Sequence, residues 1–286
     1  MIKLGDYNKL RIIRFTDHGA YLDGGEVGEI LMPRTYVLPE LFPNDEVEVF
    51  VYLDQSERLV ATTETPLARV GDFAFLKVAW VNQFGAFLDW GLMKDLFVPF
   101  REQKMPMQKG RSYLVHIHID EQSHRIVASA KVERYLQPAT PDDYHRGQEI
   151  EIIVQQKTPL GFKVIADNRC AGLVYNDQLF GCEPHAGQCL NATVVTVRPD
   201  GKLDLSLQRL GTERFRDFAD LLLEKLEQEG GSLPVSDNST PEEIQQRFGV
   251  SKKTFKRAIG TLYKRQLIEL SNDSVNLIRH KGFTKR

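Results

Sequence analysis

Residues 72–100 read DFAFLKVAWVNQFGAFLDWGLMKDLFVPF, and residues 111–132 read RSYLVHIHIDEQSHRIVASAKV. Both runs are rich in aromatic and β-branched residues, often alternating with polar ones, and Gly or Asp punctuates them where a turn is needed. The reading is five short strands. The plan recurs upstream as RIIRFTDHGAYLDGG (11–25), GEILMP (28–33) and DEVEVFVYLDQSERLVATTE (45–64). Downstream it recurs as EIEIIVQQKTPLGFKVIAD (149–167), AGLVYND (171–177) and CLNATVVTVRPDGKLDLSLQ (189–208). Gly85 lies 66 residues after Gly19, and Leu96 lies 66 after Ile30; Gly161 lies 76 after Gly85, extra residues having entered the loops of the third copy. Such a unit is too small for a two-sheet sandwich, but five strands can close into a barrel that removes exposed edges. The glycine that opens the second strand of each copy fits a tight hairpin, where positive φ is cheap only without a Cβ.

After Leu210 the period changes from two to that of a helix. In ERFRDFADLLLEKLEQEGG (213–231), the apolar Phe215, Phe218, Leu222 and Leu226 recur at three- and four-residue steps. Thr240-Pro241-Glu242-Glu243 supplies an N-cap, a proline at the first helical position and a capping-box glutamate for a second helix, and Ser251 caps a third. On that third helix Phe255, Ile259 and Leu262 share one side, and Lys253, Arg257, Gly260 and Lys264 the other. Two short runs about Ser271–Ser274 complete a hairpin wing. The expected architecture is multidomain and mainly β: three tandem five-stranded barrels at 1–64, 65–137 and 138–210, then an α+β winged-helix domain at 211–286.

Composition narrows the function. With 42% hydrophobic and 27% charged residues, the chain has the apolar content of a folded protein. No apolar run approaches the ~20 residues of a membrane span, and the N-terminus lacks a signal-peptide core, so a cytoplasmic location without membrane contact is expected. Three cysteines, Cys170, Cys182 and Cys189, are too few and too close for a disulfide framework. With His185 they lack the paired spacing of a structural zinc site, so no cofactor is expected. No phosphate-binding loop, zinc-protease motif or nucleophile elbow occurs, and the acidic residues Asp6, Asp17, Asp23, Glu26 and Glu29 read as a solvated surface, not a nuclease centre. The net charge of −2 hides a distribution of −6, +3, −2 and +3 over the four modules. The second and fourth are the candidates for phosphate contact.

Phe84-Gly85-Ala86-Phe87, Leu96-Phe97-Val98-Pro99-Phe100-Arg101-Glu102 and Ile126-Val127-Ala128-Ser129 resemble the S1 RNA-binding domain, an OB-type barrel. Gly172-Leu173-Val174-Tyr175 and Leu203-Asp204-Leu205-Ser206-Leu207 are similar to the same pattern in the third copy. Three S1-like units followed by a winged helix resemble the conserved virulence factor B family of bacterial RNA-binding regulators. The resemblance implies that the aromatics just before and two residues after the glycine form an RNA platform, at Phe84 and Phe87. The matching positions are His18 and Tyr21 in the first copy, and Leu160 and Lys163 in the third. Where the S1 family commonly places a histidine on the next strand, this chain has Pro33, Pro99 and Tyr175.

Period-two geometry agrees with that placement, since Ala86 and Leu88 pointing inward send Phe87 outward. Trp80, Trp90 and Phe97 are expected in the core. His116 and His118 are expected on a solvated strand face. Arg34, Lys94, Arg101 and Lys104 are candidate phosphate contacts about the barrels; Lys253, Lys256, Arg257, Lys264 and Arg265 are candidates on the last helix. The expected function is non-enzymatic binding of single-stranded RNA by a post-transcriptional regulator. The alternatives are a DNA-binding transcription regulator acting through the winged helix and, further off, a metal-dependent nuclease. The acidic first barrel offers a surface to a protein partner.

Overall fold

The computed structural model describes residues 1–179, 183–207 and 212–278, the side chains of 212–217 excepted. The first barrel is built from β1 (Asp6–Thr16), β2 (Gly19–Asp23), β3 (Glu29–Pro33), β4 (Glu46–Leu53) and β5 (Leu59–Thr62). The second uses β6 (Phe73–Val81), β7 (Gly85–Asp89), β8 (Leu96–Pro99), β9 (Ser112–Ile119) and β10 (Ile126–Ser129). The third uses β11 (Glu149–Thr158), β12 (Gly161–Ala166), β13 (Cys170–Tyr175), β14 (Cys189–Val197) and β15 (Leu203–Ser206). In each, the strands close in the order first, second, third, fifth, fourth; the third and fifth run parallel and every other pair antiparallel. This is the OB-type closure.

Each opening strand keeps its alternation and then breaks step. Leu10 and Ile12, Leu76 and Val78, and Ile152 and Val154 face the three interiors. The pairing register then jumps between Ile12 and Arg14, between Val78 and Trp80, and between Val154 and Gln156. The extra residue in each case, Ile13, Ala79 or Gln155, forms a β-bulge, which turns the next side chain to the opposite face.

Gly19, Gly85 and Gly161 pair with Pro33, Pro99 and Tyr175. A Cβ on these glycines would lie 2.1, 2.2 and 2.1 Å from the carbonyl oxygens of Met32, Val98 and Val174. Positive φ, at 141° and 151°, occurs at Gly19 and Gly161. The positive φ expected from sequence thus holds at two of the three and not at Gly85, and the requirement common to all three is the close approach of the neighbouring strand.

The chain forms two compact units, Met1–Leu136 and Gln137–Arg286. In the first, two barrels share a core. Val47, Val49 and Val51 of β4 face their own interior, while Phe50 and Tyr52 on the other face join the hydrophobic cluster of the second barrel. The Phe50 ring meets Trp90 edge-on with centroids 5.8 Å apart, and Val70 donates its N–H to the Gly5 carbonyl at 2.9 Å. The unbroken apolar run of β4 follows from burial on both faces.

In the second unit the third barrel closes on Ile152, Val154, Phe162, Val164, Leu203 and Leu205. The winged helix comprises α1 (Thr212–Gln228), β16 (Ser232–Leu233), α2 (Pro241–Phe248), α3 (Lys252–Lys264), β17 (Ile268–Leu270) and β18 (Val275–Leu277), the strands ordered β16-β18-β17. Thr240 and Glu243 make the reciprocal capping box, Gly249 ends α2 in the left-handed conformation at φ 68°, and the Ser251 side chain caps α3. Phe218, Leu222 and Leu226 of α1 pack with Ile244, Phe255, Ile259 and Leu262. The Phe215 side chain lies outside the described residues.

Candidate nucleic-acid interface

On the second barrel the bulge at Ala79 places Trp80 opposite Phe87 on the outer face of β6 and β7. The two rings lie parallel, with centroids 3.6 Å apart and planes at 5°. Phe97, on β8 and directly across from Phe87, tilts against it at 4.9 Å. The Asn82 side chain accepts from the backbone N–H groups of Phe84 and Gly85 at 2.8 and 3.2 Å, fixing the turn that presents Phe84. Phe84 is 63% exposed and Trp80 41%, while Phe87 and Phe97 are half-buried. The Trp80 Nε1–H donates to the Asp95 carboxylate at 2.7 Å and so orients the indole.

These rings line a groove of about 930 Å³, whose other wall is the β4–β5 hairpin of the first barrel, with Leu53, Gln55 and Glu57. Trp80 corrects the sequence expectation of a core residue. Simple alternation from Leu76 and Val78 carries Trp80 inward, and the bulge reverses it. Trp90 is buried as expected, its Nε1–H donating to the Lys94 carbonyl at 2.6 Å. Phe97, also expected in the core, is instead half-buried on the outer face, where pairing across from Phe87 puts it in the stack.

The same three positions recur on the other barrels with different chemistry. In the first, Arg14 occupies the place of Trp80 and lays its guanidinium 4.0 Å over the Tyr21 ring, held at 2.6 Å by Glu29. His18 is exposed in the adjoining turn, and its carbonyl accepts from the Arg34 N–H at 2.9 Å. In the third barrel the positions fall to Gln156 and Lys163, paired across the strands, and Leu160 stands exposed in the turn. Tyr175 is half-buried at the end of β13, opposite Gly161. The stack of rings is therefore a feature of the second barrel.

The basic candidates divide by partner. Lys94 donates to the Asp54 carbonyl at 2.7 Å, tying the first two barrels together, and burial lowers its pKa. Arg101 pairs with Asp120 at 2.6 Å and Lys104 with Glu133 at 2.7 Å. Exposed pairs of this kind contribute ~0–1 kcal/mol, so a phosphate can compete for either cation. Arg34 is exposed beside the first platform.

On α3, Lys253, Lys256, Arg257, Lys264 and Arg265 are all exposed; Lys256 lies 3.9 Å from Asp237 and Arg265 3.3 Å from Asp220. Tyr263, absent from the sequence-based candidates, is 56% exposed on the same helix. Gly260, one turn before it, sits mid-helix, where glycine is about 1 kcal/mol less favourable than alanine. A Cβ there would meet no described atom within 4 Å.

His116 and His118 correct a second expectation. They do not line a solvated face: His116 is 8% exposed, Tyr135 stacks on it at 4.0 Å, and the Tyr135 hydroxyl lies 3.2 Å from His118 Nε2. Burial, aided by His118, lowers the His116 pKa to about 4, and both Nδ1 atoms are buried without a hydrogen-bond partner. Cys170 is buried with its Sγ 3.7 Å from the Tyr144 hydroxyl, and Cys189 is exposed; Cys182 lies outside the described residues. No helix among the described residues is long and apolar enough to cross a membrane.

The S1 domain model matches residues 4–64, and the CvfB-like winged helix domain model matches residues 220–277. S1 barrels followed by a winged helix define a nucleic-acid-binding protein. The chain is 30% identical over 269 residues to the protein YitL of Bacillus subtilis (strain 168), covering 91% of this chain and 89% of that one. It is 28% identical over 253 residues to conserved virulence factor B of Staphylococcus aureus (strain N315), covering 86% and 83%. The chain belongs to the conserved virulence factor B family. A solved multidomain protein with nucleic acid binding domains from Streptococcus pneumoniae TIGR4 aligns over 96% of this chain and 98% of that one, at 26% identity and a TM-score of 0.43.

Proposed function

We propose that the protein is a cytoplasmic post-transcriptional regulator that holds single-stranded RNA without cleaving it. The observation that carries this reading is the stack of Trp80, Phe87 and Phe97, with the exposed Phe84 beside it, lining an open groove. Aromatic faces accept unpaired bases of any sequence, with stacking contributing ~1–3 kcal/mol per base, whereas a paired base keeps its face inside the duplex. Phosphates are held by Arg34, Arg101 and Lys104 at the barrels, and by Lys253, Lys256, Arg257, Lys264 and Arg265 on α3. Lys94 contributes chiefly through its tie to Asp54. His18, Tyr21 and Tyr175 provide weaker contacts on barrels that lack the stack, and the acidic first barrel is left to a protein partner.

A winged helix with a cationic α3 also favours a second reading, in which the protein regulates transcription by binding duplex DNA. Titration of the full chain with single-stranded RNA and with duplex DNA at two salt concentrations separates the two. RNA preference with steep salt weakening supports the first reading, and duplex preference replaces it with the second. RNA left intact after prolonged incubation with Mg²⁺ or Mn²⁺ supports binding without catalysis; cleavage overturns that part.

A further inference from the structure

We infer that Gly260 and Tyr263 on α3 form a notch that takes an unpaired nucleobase, so that the winged helix reads single strands through a base as well as through phosphates. The inference rests on the RNA-binding reading above and adds a second base site to it, remote in sequence from the ring stack of the second barrel.

Three observations meet there. Glycine in a helix interior is unfavourable and needs a reason in packing or in ligand approach. Packing supplies none, because a Cβ at Gly260 would meet no described atom within 4 Å; the space lies open. Tyr263, three residues on and therefore one turn along the same side, is 56% exposed. The surrounding residues Lys253, Lys256, Arg257 and Lys264 are all exposed cations, and no acidic residue interrupts 252–265. A base lying over Gly260 with its face on the Tyr263 ring would place its own phosphates among these cations.

The test uses the full chain with a labelled mixed-sequence single-stranded RNA and the same sequence as a duplex. Gly260→Ala should raise Tm by several degrees, since it removes a helix-interior glycine, and should at the same time weaken single-strand binding about tenfold. Tyr263→Ala should weaken it similarly, Tyr263→Phe should retain it, and duplex affinity should not change with any of the three. Wild-type single-strand affinity in either alanine variant overturns the notch, as does equal weakening for single strand and duplex. If Phe84→Ala with Phe87→Ala still weakens binding in that case, the barrel reading stands and this one alone has failed. Failure of the unaltered protein to bind single strands removes both.

Discussion

At the scale of single residues, the interface depends on where individual rings face. Replacing Phe84 and Phe87 together by alanine should weaken single-strand binding by at least tenfold, with the barrel still folded by circular dichroism. Trp80→Ala should do the same, because the indole covers Phe87 and presents an open face of its own. The outward side of Phe87 is legible in the sequence from alternation, and the platform role of Phe84 and Phe87 is what the resemblance to the S1 domain implies. The side of Trp80 is not legible, because a bulge adds one residue without any local signature, and period-two reading past it inverts the face. His116 was hidden for a related reason: alternation gives the side of the strand but not what covers it, and Tyr135 arrives from the turn after β10. That burial has a consequence in acid. The folded protein holds His116 neutral down to about pH 4, while the unfolded chain takes up the proton near pH 6.5. Stability is therefore unaffected above pH 6.5 and falls as pH drops from there, by up to about 3 kcal/mol at pH 4. His116→Leu should flatten the dependence of Tm on pH across that range.

At the scale of elements, the repeated device is an opening strand with a bulge followed by a glycine pressed against its neighbour's carbonyl. The repeat of 66 residues between the first two copies exposes it, since Ile13 and Ala79, like Gly19 and Gly85, differ by that interval. Strand order and parallel closure then follow from the small number of ways five such strands can close. In the winged helix the boundaries were readable because caps are local chemistry: Thr240, Pro241, Glu243, Gly249 and Ser251 all act where the sequence puts them. Thr240→Ala should lower the stability of the winged helix by about 1 kcal/mol, seen as an earlier transition for that module in hydrogen exchange, with the barrels unchanged. Tyr263 is not legible in the sequence, because a tyrosine on an amphipathic helix fits core and surface equally well by period alone. Its side is decided by α1 packing on Phe255, Ile259 and Leu262.

At the scale of the molecule, charge and core are distributed unequally among modules that share one plan. The −6 of the first barrel repels phosphate, yet that barrel supplies a wall of the groove on the +3 second barrel. On that wall Glu57 pairs with Arg125, which also lines the groove. Removing its charge with Glu57→Gln should therefore strengthen RNA binding at low salt, and the gain should vanish at high salt, as read from the slope of affinity against ionic strength. The joined core makes a separate prediction. Phe50→Ala should destabilise by ~3–5 kcal/mol and lower the unfolding transition of both barrels of Met1–Leu136 together, not that of the first alone. A repeat in the sequence announces three equal modules; nothing in the repeat says that the back of β4 is also interior, and only the unbroken VFVYL of residues 49–53 hints at it. The seam formed by Phe50, Tyr52 and Trp90 also limits how the gene can be cut and shuffled. A fragment starting at residue 65 would bare the side of Trp90 that Phe50 covers and should clump, and a recombination event that exchanged one of these two barrels for a foreign copy would have to bring a matching back along with it. The pair should therefore be inherited together, as a single cassette.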